Sequence, residues 1–278
     1  MRLPYCGDTA YFYRCFSRCV FLAAALLLSG CDRLGTEQPA VTLNDWFDAR
    51  YEEELQFSPI SLTYMGRKDR NGELDDRSFE GFKTHLAWKR QTVADLDRLF
   101  DYDSLSMEEQ TSFDIWTYQY ERLRKAEAFF YSGLTFDQMN GEQSQLPTFL
   151  INIHQVDDAA DMAAYIARIK AVAPYMTTAL SNAKRTSALG ITTPGFALDG
   201  VIQQSKAIIS GAPFAASEIV DAGSEDSAIW ADIKHEIASL LESSKITTAQ
   251  GDQLLISAKS ALLQDFQPAY QSVINWAE

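Results

Sequence analysis

Phe79-Glu-Gly-Phe-Lys-Thr-His-Leu-Ala-Trp-Lys-Arg-Gln-Thr-Val-Ala-Asp-Leu-Asp-Arg-Leu-Phe100 decides the fold class of this chain. Phe79, Phe82, Leu86, Val93, Leu96 and Phe100 return at intervals of three, four and seven, the period that lays one apolar stripe along an α-helix. A half-buried strand would alternate every second residue, and this stretch does not. Ser78 precedes it as a helix start. After a short break, Ser106-x-x-Glu109 has the form of a capping box. The helix it opens carries Phe113, Trp116, Tyr120 and Leu123 and is expected to end near Gly133. Together the two make an antiparallel hairpin with its apolar stripes facing inward.

The same texture extends in both directions. Towards the N-terminus, Leu43–Leu55 reads as a helix with Trp46, Phe47, Tyr51 and Leu55 on its apolar face. Ser58-Pro59 opens a short helix that Gly66 ends, and Arg67 to Asp76 is a charged loop turning at Asn71-Gly72. Towards the C-terminus, Gly133 to Pro147 is irregular, and Pro147 is expected to open a short helix over Thr148–Asn152. Asp157-Asp158 place acid at the next helix start, Pro174 kinks or restarts that helix, and Gly190 caps it. Thr193-Pro194-Gly195 begins a helix to Ile209, and Gly211 to Gly223 is a loop. Helices follow over Asp226–Leu241 and, after the box Thr247-x-x-Gln250, over Gly251–Phe266. Pro268 is expected to break the last helix, which runs on to Trp276. The fold class is all-α, with long amphipathic helices in antiparallel hairpins over residues 42–278.

The N-terminal segment is of another kind. Arg14 and Arg18 precede the apolar run Val20–Leu28, which is the length of a signal core and too short to cross a bilayer as a helix. It closes in Leu28-Ser29-Gly30-Cys31, which has the form of a lipoprotein lipobox. On this reading residues 1–30 are a signal peptide, and Cys31 receives diacylglycerol and a further acyl chain such as palmitate. Several chains give a stable membrane anchor. A buried helix ending in Gly-Cys is the competing reading, disfavoured by the polar, Pro-containing sequence after Cys31. Asp32 resembles the enterobacterial signal for retention in the inner membrane, so the expected place is the periplasmic side of that membrane. Residues 31–41 form a polar tether.

Composition narrows the chemistry. Cys6, Cys15, Cys19 and Cys31 are the four cysteines, so the body beyond Cys31 has no thiol for a disulfide, a metal or a nucleophile. The whole chain is formally −14 and the first thirty residues +2, which leaves −16 for the rest. Such a body is a poor ligand for nucleic acid or an anionic lipid surface.

The histidines are His85, His154 and His235. His235-Glu236 is half of a His-Glu-x-x-His zinc helix, because Ser239 stands where the second imidazole belongs. His85 reads as a partly buried helix residue, and His154 as the more exposed of the candidates. Glu52-Glu53-Glu54 and Glu108-Glu109 read as solvated faces. Phe129-Phe130-Tyr131 reads as core packing in preference to a cleft lining. No phosphate loop, Gly-x-Ser-x-Gly elbow or Ser-x-x-Lys motif occurs. No catalytic or metal-binding residue is assigned.

Several short stretches in order carry a resemblance. These are Phe57-Ser58-Pro59 with Tyr64-Met65-Gly66, the helix pair around Leu105–Glu109, Gln145-Leu146-Pro147, and Asp157-Asp158 with Tyr165-Ile166-Ala167-Arg168-Ile169. Gly190–Pro194 and Val201-Ile202-Gln203-Gln204 complete the set. Over Asp45 to about Tyr270 the chain resembles the N-terminal part of the bacterial domain-of-unknown-function 885 family, often exported lipoproteins. The resemblance implies a helical zinc-metallopeptidase-like protein about twice this length, with its His-Glu-x-x-His helix and a further acidic ligand in the C-terminal half. No position here matches those ligands, so no cofactor is expected in this chain and no peptidase activity from it alone. The partners implied are the membrane, a peptide substrate, or a separate C-terminal half. A truncated product would expose the apolar face its other half covers, and Trp276 near the end fits that. A stand-alone periplasmic binding or adaptor lipoprotein is the other reading.

Overall fold

The computed structural model describes residues 41–214 and 225–278. Cys31, Asp32, the expected signal peptide and nearly all of the tether lie outside the described residues, as does most of the Gly211–Gly223 loop. The unit formed by Leu43–Glu278 is helical, and its only β feature among the described residues is one isolated bridge between Ala212 and Asp226.

The helices are α1 (Leu43–Leu55), α2 (Pro59–Tyr64), α3 (Phe79–Leu99), α4 (Met107–Ala126) and α5 (Glu142–Asn152). They continue with α6 (Ala159–Ala188), α7 (Gly195–Ile208), α8 (Ala228–Glu242), α9 (Thr248–Ala261) and α10 (Gln267–Ala277). Helix α6 is the axis. Met162, Tyr165, Ile169, Val172, Met176 and Ala179 are buried along it, and α5, α8, α9 and α10 pack around that stripe. A second, smaller core joins α1, α3 and α4 through Leu43, Trp46, Val93, Leu96, Phe113 and Trp116. The Trp116 indole donates to Thr92 Oγ1 at 3.1 Å, and Lys89 Nζ reaches Gln119 Oε1 at 3.0 Å. That register confirms the antiparallel hairpin. Lys89 is buried, its ammonium 3.2 Å from the Trp116 ring centroid and 2.9 Å from Glu54 Oε2.

The helix starts obey local chemistry. Both expected capping boxes form, at Ser106/Glu109 and Thr247/Gln250. Ser58, Ser78 and Asp158 cap α2, α3 and α6. Gly190 ends α6 with φ at +82°, a conformation open to glycine without a Cβ clash.

Four expectations on the elements are corrected. Pro147 does not open a helix; it lies inside α5, which begins five residues earlier at Glu142. A proline there leaves the carbonyl four residues back without its helical donor, and Tyr270 Oη donates to that carbonyl, Gln143 O, at 2.9 Å. Pro174 sits inside an α6 that runs on past it without a restart. Pro268 does not break the final helical run, because a π-turn at Leu262–Phe266 carries the backbone across it. Helix α4 stops at Ala126, followed by a 3₁₀ turn at Glu127–Phe129, and Phe130 and Tyr131 fold back onto Phe79 at 5.1 and 5.7 Å between ring centroids. Trp276 is not left bare, since its ring packs on Phe136 at 5.3 Å. No helix among the described residues is long and apolar enough to cross a membrane.

Candidate functional site

The three histidines occupy three separate environments. His235 and Ser239 are exposed on α8, so the half-motif faces outward. His85, on α3, is half-buried, with Nε2 3.0 Å from Glu54 Oε1 and its ring stacked on Phe57 at 4.7 Å. Glu54 is therefore not part of a solvated face. Burial raises its pKa, but hydrogen bonds from His85 and Lys89 outweigh that and hold the carboxyl below its usual range.

His154 corrects the sequence reading most sharply, being 6% exposed. Its Nδ1 lies 2.7 Å from Arg168 Nη1 and its Nε2 3.2 Å from the Asp161 carbonyl. Arginine has only donors, so Nδ1 accepts and Nε2 carries the proton. Burial, with the adjacent guanidinium, pushes the imidazole down to about 4, so the ring is neutral. Arg168 is completely buried. It donates to Glu73 O at 2.9 Å, Asn71 Oδ1 at 3.2 Å, Pro59 O at 3.3 Å and Thr63 Oγ1 at 2.7 Å, and lies over the Phe149 ring. None of these partners is a carboxylate, and burial lowers its pKa to about 10. Asp161 completes the hub by accepting from Asn71 Nδ2 and Asp157 N and pairing with Lys68. Ser58-Pro59, Asn71-Gly72, Asp157-Asp158 and Arg168, scattered in sequence, thus meet at one structural knot. Gly72 fits there because a Cβ would come within 3.3 Å of Ala167 on α6.

An open cleft lies beside this knot. Its volume is about 730 Å³, within the range of small-ligand sites. Phe57, Leu74, Phe82, His85 and Phe130 give it an aromatic and apolar wall. Phe130 is 5.3 Å from Phe82, so one member of the Phe129-Phe130-Tyr131 run lines a cleft after all, while Phe129 is exposed. The polar side comes from Arg77, Glu142 and Asn182. Glu142 pairs with Arg77 through one oxygen and accepts from Tyr175 Oη at 2.6 Å through the other. Burial and the Glu142 charge push the Tyr175 phenol up, keeping it a donor. Asn182 Nδ2 holds the Arg77 carbonyl at 2.8 Å.

The cleft gathers residues from the α1–α2 turn, the loop before α3, the Phe130–Asn140 segment and α6. No short motif spans these, so sequence reasoning missed Arg77 and Glu142. Among the described residues no group of three or more His, Cys, Asp or Glu side chains is placed to hold a metal ion. The cleft offers hydrogen bonds, charge and aromatic surface.

Comparison with known proteins gives the context. No curated protein matches. One solved structure, titled "The crystal structure of the putative lipoprotein from Colwellia psychrerythraea", superposes with a TM-score of 0.64 at 15% identity, over 85% of this chain and 41% of that one. The chain thus spans less than half the length of that relative, and at this identity the likeness establishes the fold. The family model described as "Bacterial protein of unknown function (DUF885)" matches residues 59–278, from the start of α2 to the last residue. The chain belongs to the DUF885 family.

Proposed function

We propose that this is an exported, lipid-anchored envelope protein whose helical domain is the non-catalytic, substrate-facing half of a zinc-metallopeptidase-like protein. Cys31 carries the anchor, and Asp32 favours the periplasmic face of the inner membrane. The cleft beside α3 and α6 is one wall of a peptide-binding groove. Zinc and the water-activating glutamate belong to the C-terminal part of longer relatives, so the chain alone binds peptide without hydrolysing it. The observation that carries this reading is the aromatic and charged cleft, in a chain matching 41% of its solved relative.

Metabolic labelling with a palmitate analogue is expected to mark the intact chain and not Cys31→Ala. Elemental analysis of the purified protein is expected to find no stoichiometric zinc. One zinc per chain, lost on substituting His154 or His235, would overturn the non-catalytic assignment.

A stand-alone binding or adaptor lipoprotein is the second reading. It is favoured by α10, whose Tyr270, Val273 and Ile274 close the core at the C-terminal side. An adaptor is monodisperse and folds cooperatively, whereas a half-domain with an open apolar face self-associates. Sedimentation velocity separates the two.

A further inference from the structure

We infer that Arg77 is a carboxylate-binding residue, and that the cleft takes the free C-terminal carboxylate of a peptide ending in an aromatic or bulky apolar residue. The inference rests on the reading of the cleft as peptide-binding and specifies which part of the peptide it holds.

The two arginines of the cleft differ in what remains open on them. Arg70 donates through Nε and Nη2 to Glu73 and through Nη1 to Gln56 O, so each nitrogen of its guanidinium is occupied within the chain. Among the described residues, Arg77 uses Nη2 alone, on Glu142. A guanidinium carries five donors in a planar fork that suits a carboxylate's two oxygens. Arg77 Nε and Nη1 are left for a ligand, and the side chain is half exposed to the cleft.

The fork is also held in place. Glu142 is 14% exposed and both its oxygens are engaged, one by Arg77 and one by the Tyr175 hydroxyl. It therefore orients Arg77, and its charge is paired within the chain. Asn182 fixes the same residue from its backbone side. Asp76 also lines the cleft, and its Oδ1 accepts from Ser78 N at 2.8 Å. Two cations and two carboxylates leave the cleft near neutrality, so selection comes from directed donors and not from bulk charge. Phe57, Phe82 and Phe130, which line the same cleft, supply the apolar surface a terminal side chain would cover.

The test is titration calorimetry on the full chain in mild detergent, with an N-acetylated tripeptide ending in phenylalanine, as the free acid and as the C-terminal amide. The acid is expected to bind at least about tenfold more tightly than the amide, as befits a charge-assisted contact. In Arg77→Met the acid is expected to lose this preference and to bind no more tightly than the amide does. Equal binding of acid and amide by the unaltered chain overturns the assignment of Arg77 while leaving a peptide cleft in place. A preference for the acid that persists in Arg77→Met overturns it too. Binding of neither peptide removes both this inference and the reading it rests on. Circular dichroism checks the variant, and if it does not fold, the acid-against-amide comparison decides alone.

Discussion

At the residue scale, the buried His154–Arg168 pair has a direct acid signature. The folded imidazole titrates at about 4 against an ordinary value of 6.5. Between those values the unfolded chain binds the proton that the folded chain refuses, so stability rises with pH across the window and falls as the solution is acidified. The loss is expected to reach about 2 kcal/mol at pH 5 relative to pH 8. The paired carboxylate of Glu54 adds to the loss only below its unfolded value of 4.5. Denaturant melts at pH 8, 6.5 and 5 measure the slope, and His154→Gln is expected to flatten it whatever its absolute stability. An unchanged slope in the variant removes His154 as the source. Nothing around His154 in the sequence announced this burial. Its donor lies fourteen residues on, well inside α6 and several turns beyond the polar neighbours Gln155 and Asp157, and Asn71, which binds both Arg168 and Asp161, comes from a distant loop.

At the element scale, local signals were legible and compensated violations were not. Ser106-x-x-Glu109 and Thr247-x-x-Gln250 act within one turn, so four residues suffice to read them. Pro147 was misread as a helix start because the group that tolerates it in mid-helix, the Tyr270 hydroxyl, comes from the far end of the chain. That account makes a coupled prediction. Tyr270→Phe leaves the Gln143 carbonyl unsatisfied in the core and is expected to cost about 1–3 kcal/mol. Pro147→Ala restores an N–H that reaches the same carbonyl. In the Tyr270→Phe background it should therefore recover more stability than in the unaltered chain, by about 1 kcal/mol in a double-mutant cycle. Strict additivity would show that the tyrosine does not stand in for the missing N–H. The cleft was illegible for a related reason. Phe57, Arg77, Phe130 and Glu142 become neighbours only once α3 and α5 are set against α6.

At the scale of the whole molecule, the two cores are unequal. The smaller one holds Trp46, Trp88 and Trp116, while Trp230 and Trp276 sit against the larger core on α6. Less buried apolar surface gives a lower opening free energy. Tryptophan fluorescence is therefore expected to change at lower denaturant than the helical circular dichroism signal. Hydrogen exchange should protect α6 amides more than those of α1, α3 and α4. Coincident transitions by both probes would show that the cores unfold as one. Trp88 also stands against the cleft wall, its ring 5.4 Å from Phe57 and 5.9 Å from His85.

The π-turn at Leu262–Phe266 sets the phase of everything after it. A wide turn of this kind accommodates one residue more than an α-helix would, and each α-helical residue advances the spiral by about 100°. Shortening the turn by one residue would swing α10 about a quarter-circle on its axis. Tyr270, Val273 and Ile274 would rotate out of the core together, and the Gln143 carbonyl would lose its donor. Helix α10 is thus indexed like a gear, and length changes in this short turn are far less admissible than substitutions of the residues within it.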